Sequence, residues 1–88
     1  MLQRLGLQEL AVRKAFVLIQ VETGKAESVV KALRNKPGIV GADMVVGPHD
    51  VVAVLNGIDA DAIARTVVNN IQATRGVQRT LTYMVIGD

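Results

Sequence analysis

The chain has 88 residues, half of them apolar, with 10 Lys and Arg against 8 Asp and Glu, a single His and no Cys. That length holds material for one hydrophobic core and not two, since a chain this size buries only about 60–65% of its unfolded surface. The missing cysteines exclude disulfides, thiolate catalysis and Cys-based metal sites, one histidine excludes a multi-histidine metal site within the chain, and a scattered net charge of +2 offers no concentrated basic patch for nucleic acid.

Residues 1–14 mix Leu2, Leu5, Leu7 and Leu10 with Gln, Arg and Glu around Gly6, and are expected to form an arm ahead of a compact domain over residues 15–88. No apolar run has the length of a membrane span or of a secretory leader, so a soluble, cytoplasmic protein is expected. The only aromatics are Phe16 and Tyr83, which leaves the core to Val, Ile, Leu and Ala. Residues 15–21, rich in β-branched side chains, read as a first strand. Ala26, Val29, Val30 and Leu33 then recur at helical spacing, with Lys25, Glu27, Lys31 and Arg34 on the other side of the wheel. Pro37 and Gly38 stop that helix.

A second strand is expected over residues 39–46, a turn at 47–50 and a third strand at 51–55, the two strands forming a hairpin. Asp59 is placed to cap a second helix carrying Ala60, Ile63, Ala64, Val67 and Ile71 on one face, ended by Arg75 and Gly76. A last strand follows over 77–86. The two halves repeat one plan, with Gly38–Ile39 echoed by Gly76–Val77. The order βαββαβ, with right-handed crossovers, predicts an α+β fold of the ferredoxin-like type: a four-stranded antiparallel sheet in the order 4-1-3-2 with both helices on one face.

The central strands are apolar at both parities. Phe16 and Leu18 alternate with Val17, Ile19 and Val21, and Val52 and Val54 alternate with Val51, Ala53 and Leu55. A sheet covered on one side only would alternate apolar with polar. Since two helices cover one face, the other face needs a second surface, and a second copy of the chain, as in a dimeric α+β barrel, is the simplest one. The alternative is that the arm folds back over it through Leu5, Leu7 and Leu10.

No catalytic constellation is present: Ser28 is the only serine and lies on the exposed side of the first helix, and no strand leads through a G-x-G-x-x-G loop into a helix. His49 beside Asp50 has the composition of an oriented base, but a lone turn histidine is more often a solvated loop residue. Asp59 and Asp61 straddle a helix start, where capping and dipole compensation are their ordinary roles. Met44 and Met84 have the character of gap-filling core residues. The remaining polar cluster is Gly47, Pro48, His49 and Asp50 at the hairpin tip, with Thr80 and Thr82 on the last strand. A carboxylate for an ammonium, and backbone N–H groups and hydroxyls for a carboxylate, would suit a zwitterionic ligand; an ordinary turn with Asp50 bonded to its own backbone is the plain alternative.

Four segments carry a resemblance: AFVLIQVETG at 15–24, PGIV at 37–40, VGPHD at 46–50 and RGVQRTLT at 75–82. In order and spacing they resemble the RAM effector-binding domain of the leucine-responsive regulator/AsnC family of transcription regulators, over residues 15–86. The resemblance implies a dimer packed sheet to sheet, assembly of dimers into octamer-like rings, and amino-acid effectors held between dimers. It places effector response on Gly47 and Asp50, with Met44 just ahead of them. Pro48 and His49 depart from the turn residues usual in the family. It further implies a stand-alone RAM protein, since residues 1–14 are too few for a helix-turn-helix domain, and hence no direct DNA binding but mixed assembly with full-length regulators. No cofactor or metal is expected. The function expected is an amino-acid-responsive oligomerisation module and not an enzyme; a cofactor-free dimeric α+β barrel enzyme and a ligand-free structural oligomer are the competing readings.

Overall fold

In the computed structural model, which describes residues 13–87, the chain runs β1 (Lys14–Val21), α1 (Ala26–Leu33), β2 (Ile39–Met44), β3 (Val51–Asn56), α2 (Ala60–Thr66) continuing into a π-helical turn (Val67–Ile71), and β4 (Val77–Met84). The sheet is antiparallel in the order β2-β3-β1-β4, the 4-1-3-2 order expected from the sequence. The expected arm lies outside the described residues but for its last two, and Lys14 already belongs to β1.

Strand pairing divides the apolar residues between the two faces. Ala15, Val17 and Ile19 stand opposite Leu55, Ala53 and Val51, and all six are fully buried beneath the helices. Helix α1 meets them with Val29, Val30 and Leu33, and the second helical segment with Ile63, Val67 and Ile71. The other face carries two transverse rows, Val54–Phe16–Tyr83 and Val52–Leu18–Leu81, which no helix among the described residues covers. Phe16, Leu81 and Tyr83 are exposed there at 39%, 46% and 55%, so the double apolar parity of β1 and β3 has left an open apolar face.

The sequence repeat has a structural counterpart. Gly38 and Gly76 both take positive φ, +84° and +97°, a conformation that costs a side-chain-bearing residue about 1–2 kcal/mol. Each packs on the helix of the other half. A Cβ at Gly38 would lie 2.8 Å from Thr66 Oγ1, and one at Gly76 3.1 Å from Lys25 Cβ and 3.2 Å from Val29 Cγ2. Their carbonyls accept from corresponding strand ends, Asn56 N–H to Gly38 at 3.0 Å and Glu22 N–H to Gly76 at 2.8 Å. Two residues after each glycine the ladder shifts register, skipping Val40 in β2 and Gln78 in β4.

Four details depart from the sequence expectations. Strand β2 ends at Met44 instead of 46 and β4 at Met84 instead of 86; Val45 N–H bonds to Asp50 across the loop, and Val85 N–H to Lys14. The second helix ceases to be α-helical at Thr66. Residues four apart drift by about 40° per step around an α-helix, so keeping Ile63, Val67 and Ile71 all inward calls for a wider turn, which the Gln72 N–H to Val67 carbonyl bond of 2.8 Å supplies. Ala64, expected on the buried face, is exposed. Met44 and Met84, expected in the core, are 57% and 36% exposed, because both sit at the ends of edge strands beyond the cover of the helices.

Candidate functional site

Residues 45–50 join β2 to β3 and lie against the end of β1. Asp50 fixes them there twice: its N–H donates to the Ile19 carbonyl at 2.9 Å, and its Oδ2 accepts from Val21 N–H at 3.0 Å. Val21 is free to donate because its N–H, like the Ile19 carbonyl, faces the β3 side of β1, where the ladder with β3 ends at the Ile19–Val51 pair. Gln20 adds a third tie, its side-chain amide donating to the Pro48 carbonyl at 3.3 Å. Asp50 therefore does not close a local turn on its own backbone. It uses one carboxylate oxygen to seat the loop on a distant strand, and Oδ1 has no partner among the described residues.

The rest of the loop is open. Gly47 and Pro48 are exposed and His49 is half-buried. Gly47 has no positive φ, and a Cβ built on it would meet nothing within 4 Å among the described residues. The fold of one chain thus gives no steric or conformational reason for glycine at that position. Ahead of it, Met44, Val45 and Val46 form an exposed apolar strip, Val46 completely so.

Thr80 and Thr82 lie apart from this loop. Met44, Val51, Ile19 and Thr80 make one transverse row across the sheet, so Met44 and Thr80 stand at opposite edges, about 14 Å apart at ordinary strand spacing. Thr82 is one row further on, opposite Val17. Thr80 Oγ1 is engaged by the Gln72 side-chain amide at 2.9 Å. One chain therefore brings Gly47, Pro48, His49 and Asp50 together with Met44 beside them, and leaves both threonines on the far edge.

The other residues singled out in the sequence have structural roles. Asp59 Oδ1 accepts from Ala62 N–H at 2.9 Å, an N-cap bond, and Asp61 pairs with Arg65 one turn on. No group of His, Asp and Glu among the described residues is arranged to hold a metal ion. No helix among them is long and apolar enough to cross a membrane.

Sequence periodicity missed the contacts of two residues. Arg34, assigned only to the polar side of α1, donates to the Ala42 carbonyl at 2.9 Å and to Asp43 Oδ1 at 3.1 Å, satisfying part of the free edge of β2. Lys36, just ahead of the helix-stopping Pro37, donates to the Asn70 carbonyl at 3.0 Å and to Thr74 Oγ1 at 2.7 Å. Neither partner is signalled locally, since both bonds depend on how the helices lie on the sheet.

No curated protein matches the chain. Among solved structures, TTHA0845 from Thermus thermophilus is 28% identical, with a TM-score of 0.81 over 86% of this chain and 95% of that one. AsnC of E. coli, at 20% identity, superposes with a TM-score of 0.79 over 98% of this chain and 56% of its own, so this chain spans about half of that regulator. The transcriptional regulator NMB0573 from Neisseria meningitidis, solved in complex with L-Met, is 18% identical with a TM-score of 0.75 over 91% of this chain and 53% of its own. The family model of the Lrp/AsnC ligand-binding domain matches residues 14–88, from the first residue of β1 onward, and the chain belongs to that family.

Proposed function

We propose that the chain is an amino-acid effector-binding and assembly module, in which the loop over residues 45–50 meets the ligand at a boundary between subunits. The observation that carries this reading is Gly47, a residue without a side chain at a place where the fold of one chain needs none absent. Beside a seated Asp50, a bare backbone N–H leaves room for a ligand carboxylate or a neighbouring subunit to approach closely. A free amino acid suits such a site, with Asp50 Oδ1 taking the ammonium and Met44 and Val46 offering apolar contact to the side chain. The L-Met complex of the Neisseria regulator supports an amino acid as the ligand class.

The separation of Met44 from Thr80 and Thr82 favours a site shared between copies, since a second subunit can place its β4 edge near a loop that its own chain cannot reach. The open rows Val54–Phe16–Tyr83 and Val52–Leu18–Leu81 supply the first contact, a sheet-to-sheet homodimer. Dimers would then meet through the loops, in rings such as octamers, and full-length regulators of the family would join by the same surfaces. Regulation through ligand-dependent assembly, in the cytoplasm, follows from this reading and requires no catalysis.

The test combines calorimetric titration of the twenty amino acids with sedimentation at each. The expected result is saturable heat for a small subset of them, together with a change in oligomer size. Absence of both with every amino acid overturns the sensing role, and a monomer at all concentrations overturns the assembly role.

A further inference from the structure

On the helical side of the molecule, away from the loop, a groove of about 280 Å³ runs between α1 and the segment that follows the π-helical turn. Three cations line it: Lys25 at the start of α1, Lys36 just beyond its end, and Arg75. Ser28 and Thr74 supply hydroxyls, and Ala32 and Ala73 keep the walls low. No carboxylate among the described residues lines the groove. The ion pairs among the described residues are Lys31–Glu27, Arg34–Asp43 and Arg65–Asp61, so the positive charge in the groove is not balanced in the same way.

The chemistry of the lining is selective. Ser28 already donates its proton to the Lys25 carbonyl at 3.0 Å, and Thr74 donates to the Asn70 carbonyl at 2.6 Å. The side-chain donors left over therefore belong to cations. Lys36 is half-buried and held in place, with two N–H groups spent on Asn70 and Thr74 and the third without a partner among the described residues. The π-helical turn creates this arrangement, because the Asn70 carbonyl within it takes both Lys36 and Thr74 as donors. A fixed ammonium beside an arginine fork and a second lysine matches an anion with several acceptor oxygens, where charge-assisted bonds are strongest. At about 280 Å³ the groove falls just below the range of about 300–1,000 Å³ usual for small-molecule pockets, which suits a small ligand.

From this we infer that the groove is a second ligand site, distinct from the amino-acid site, and that it takes a small phosphomonoester. The experiment is calorimetric titration of the full chain, at constant ionic strength, with glycerol 3-phosphate, inorganic phosphate and succinate. The expected result is saturable binding of both phosphate compounds with a Kd of about 1 mM or below, and succinate weaker by about tenfold. The exposed pair Lys25→Gln/Arg75→Gln should weaken phosphate binding by at least about tenfold without altering the thermal transition, whereas Gly47→Val should leave it unchanged. Lys36→Met should abolish it, but the double variant carries the test if that substitution disturbs folding. No saturation with either phosphate compound, equal affinity for succinate, or unchanged affinity in the double variant overturns the proposal. The amino-acid site can fail its own titration while this one succeeds, and the reverse.

Discussion

The carboxylate of Asp50 holds the backbone N–H of Val21 at 3.0 Å across 29 residues of sequence. With the Asp50 N–H to Ile19 and the Gln20 amide to Pro48, that bond joins the candidate effector loop to a central strand of the sheet, at the point where β1 changes its register with β4. A rearrangement of the loop is thereby coupled to the end of β1.

Asp50→Ala should lower stability by about 1–2 kcal/mol, since it removes a part-buried, charge-assisted bond and leaves Val21 N–H without its acceptor. Asp50→Asn, which keeps an acceptor oxygen, should cost less. Urea unfolding gives both values, and hydrogen exchange locates them, with the Val21 amide losing protection in the alanine variant.

Gly47→Val should leave the unfolding free energy within about 0.5 kcal/mol of the parent, because no atom among the described residues lies within 4 Å of a Cβ at that position. The same variant should lose the calorimetric response to the cognate amino acid. Lost stability would show that the loop is a structural element and not a reserved space.

Gly76→Ala should destabilise more than Gly24→Ala. Both residues have positive φ, +97° and +80°, but only Gly76 has neighbours for the added methyl, at Lys25 and Val29. The Gly24 variant measures the backbone cost of about 1 kcal/mol, and the excess at Gly76 measures the close approach of the β4 entry to α1. Thermal unfolding of the pair at one protein concentration reads the difference.

Leu18→Asp should shift sedimentation to the monomer while circular dichroism stays that of the parent. Leu18 is central to the open face, between Val52 and Leu81, and is not part of the helix-covered core. A charge there would be buried unpaired in a sheet-to-sheet dimer. An unchanged dimer would place the interface elsewhere.

Much of this architecture was legible because β1, β3 and α1 separate their faces by simple periodicity. Val17 and Ile19 against Phe16 and Leu18, and Val29, Val30 and Leu33 on α1, are assigned correctly by spacing alone. Spacing gave less where one atom's partner is distant. Val45 and Val46 are β-branched and extend the strand pattern, yet the ladder ends at Met44 because Asp50 turns the loop toward β1. The π-helical turn was equally hidden, since apolar residues at 63, 67 and 71 fit a continuous helix until the sheet beneath requires all three inward. Of the candidate site, the contiguous part from Gly47 to Asp50 was readable as a unit; the threonines were grouped with it by composition, although the expected order 4-1-3-2 already puts β4 and β2 on opposite edges.

The open sheet face also has an optical consequence. The chain has no tryptophan and one tyrosine, and Tyr83 ends the row Val54–Phe16–Tyr83 with more than half its surface exposed. Its phenol is thus the sole strong near-ultraviolet fluorophore and lies on the face that a second sheet would cover. Its emission intensity, and the quenching of that emission by iodide, would follow subunit exchange without a label, as aromatic residues respond to burial at contacts. A molecule whose core is wholly aliphatic keeps its spectroscopic signal for the surface where it meets its neighbours.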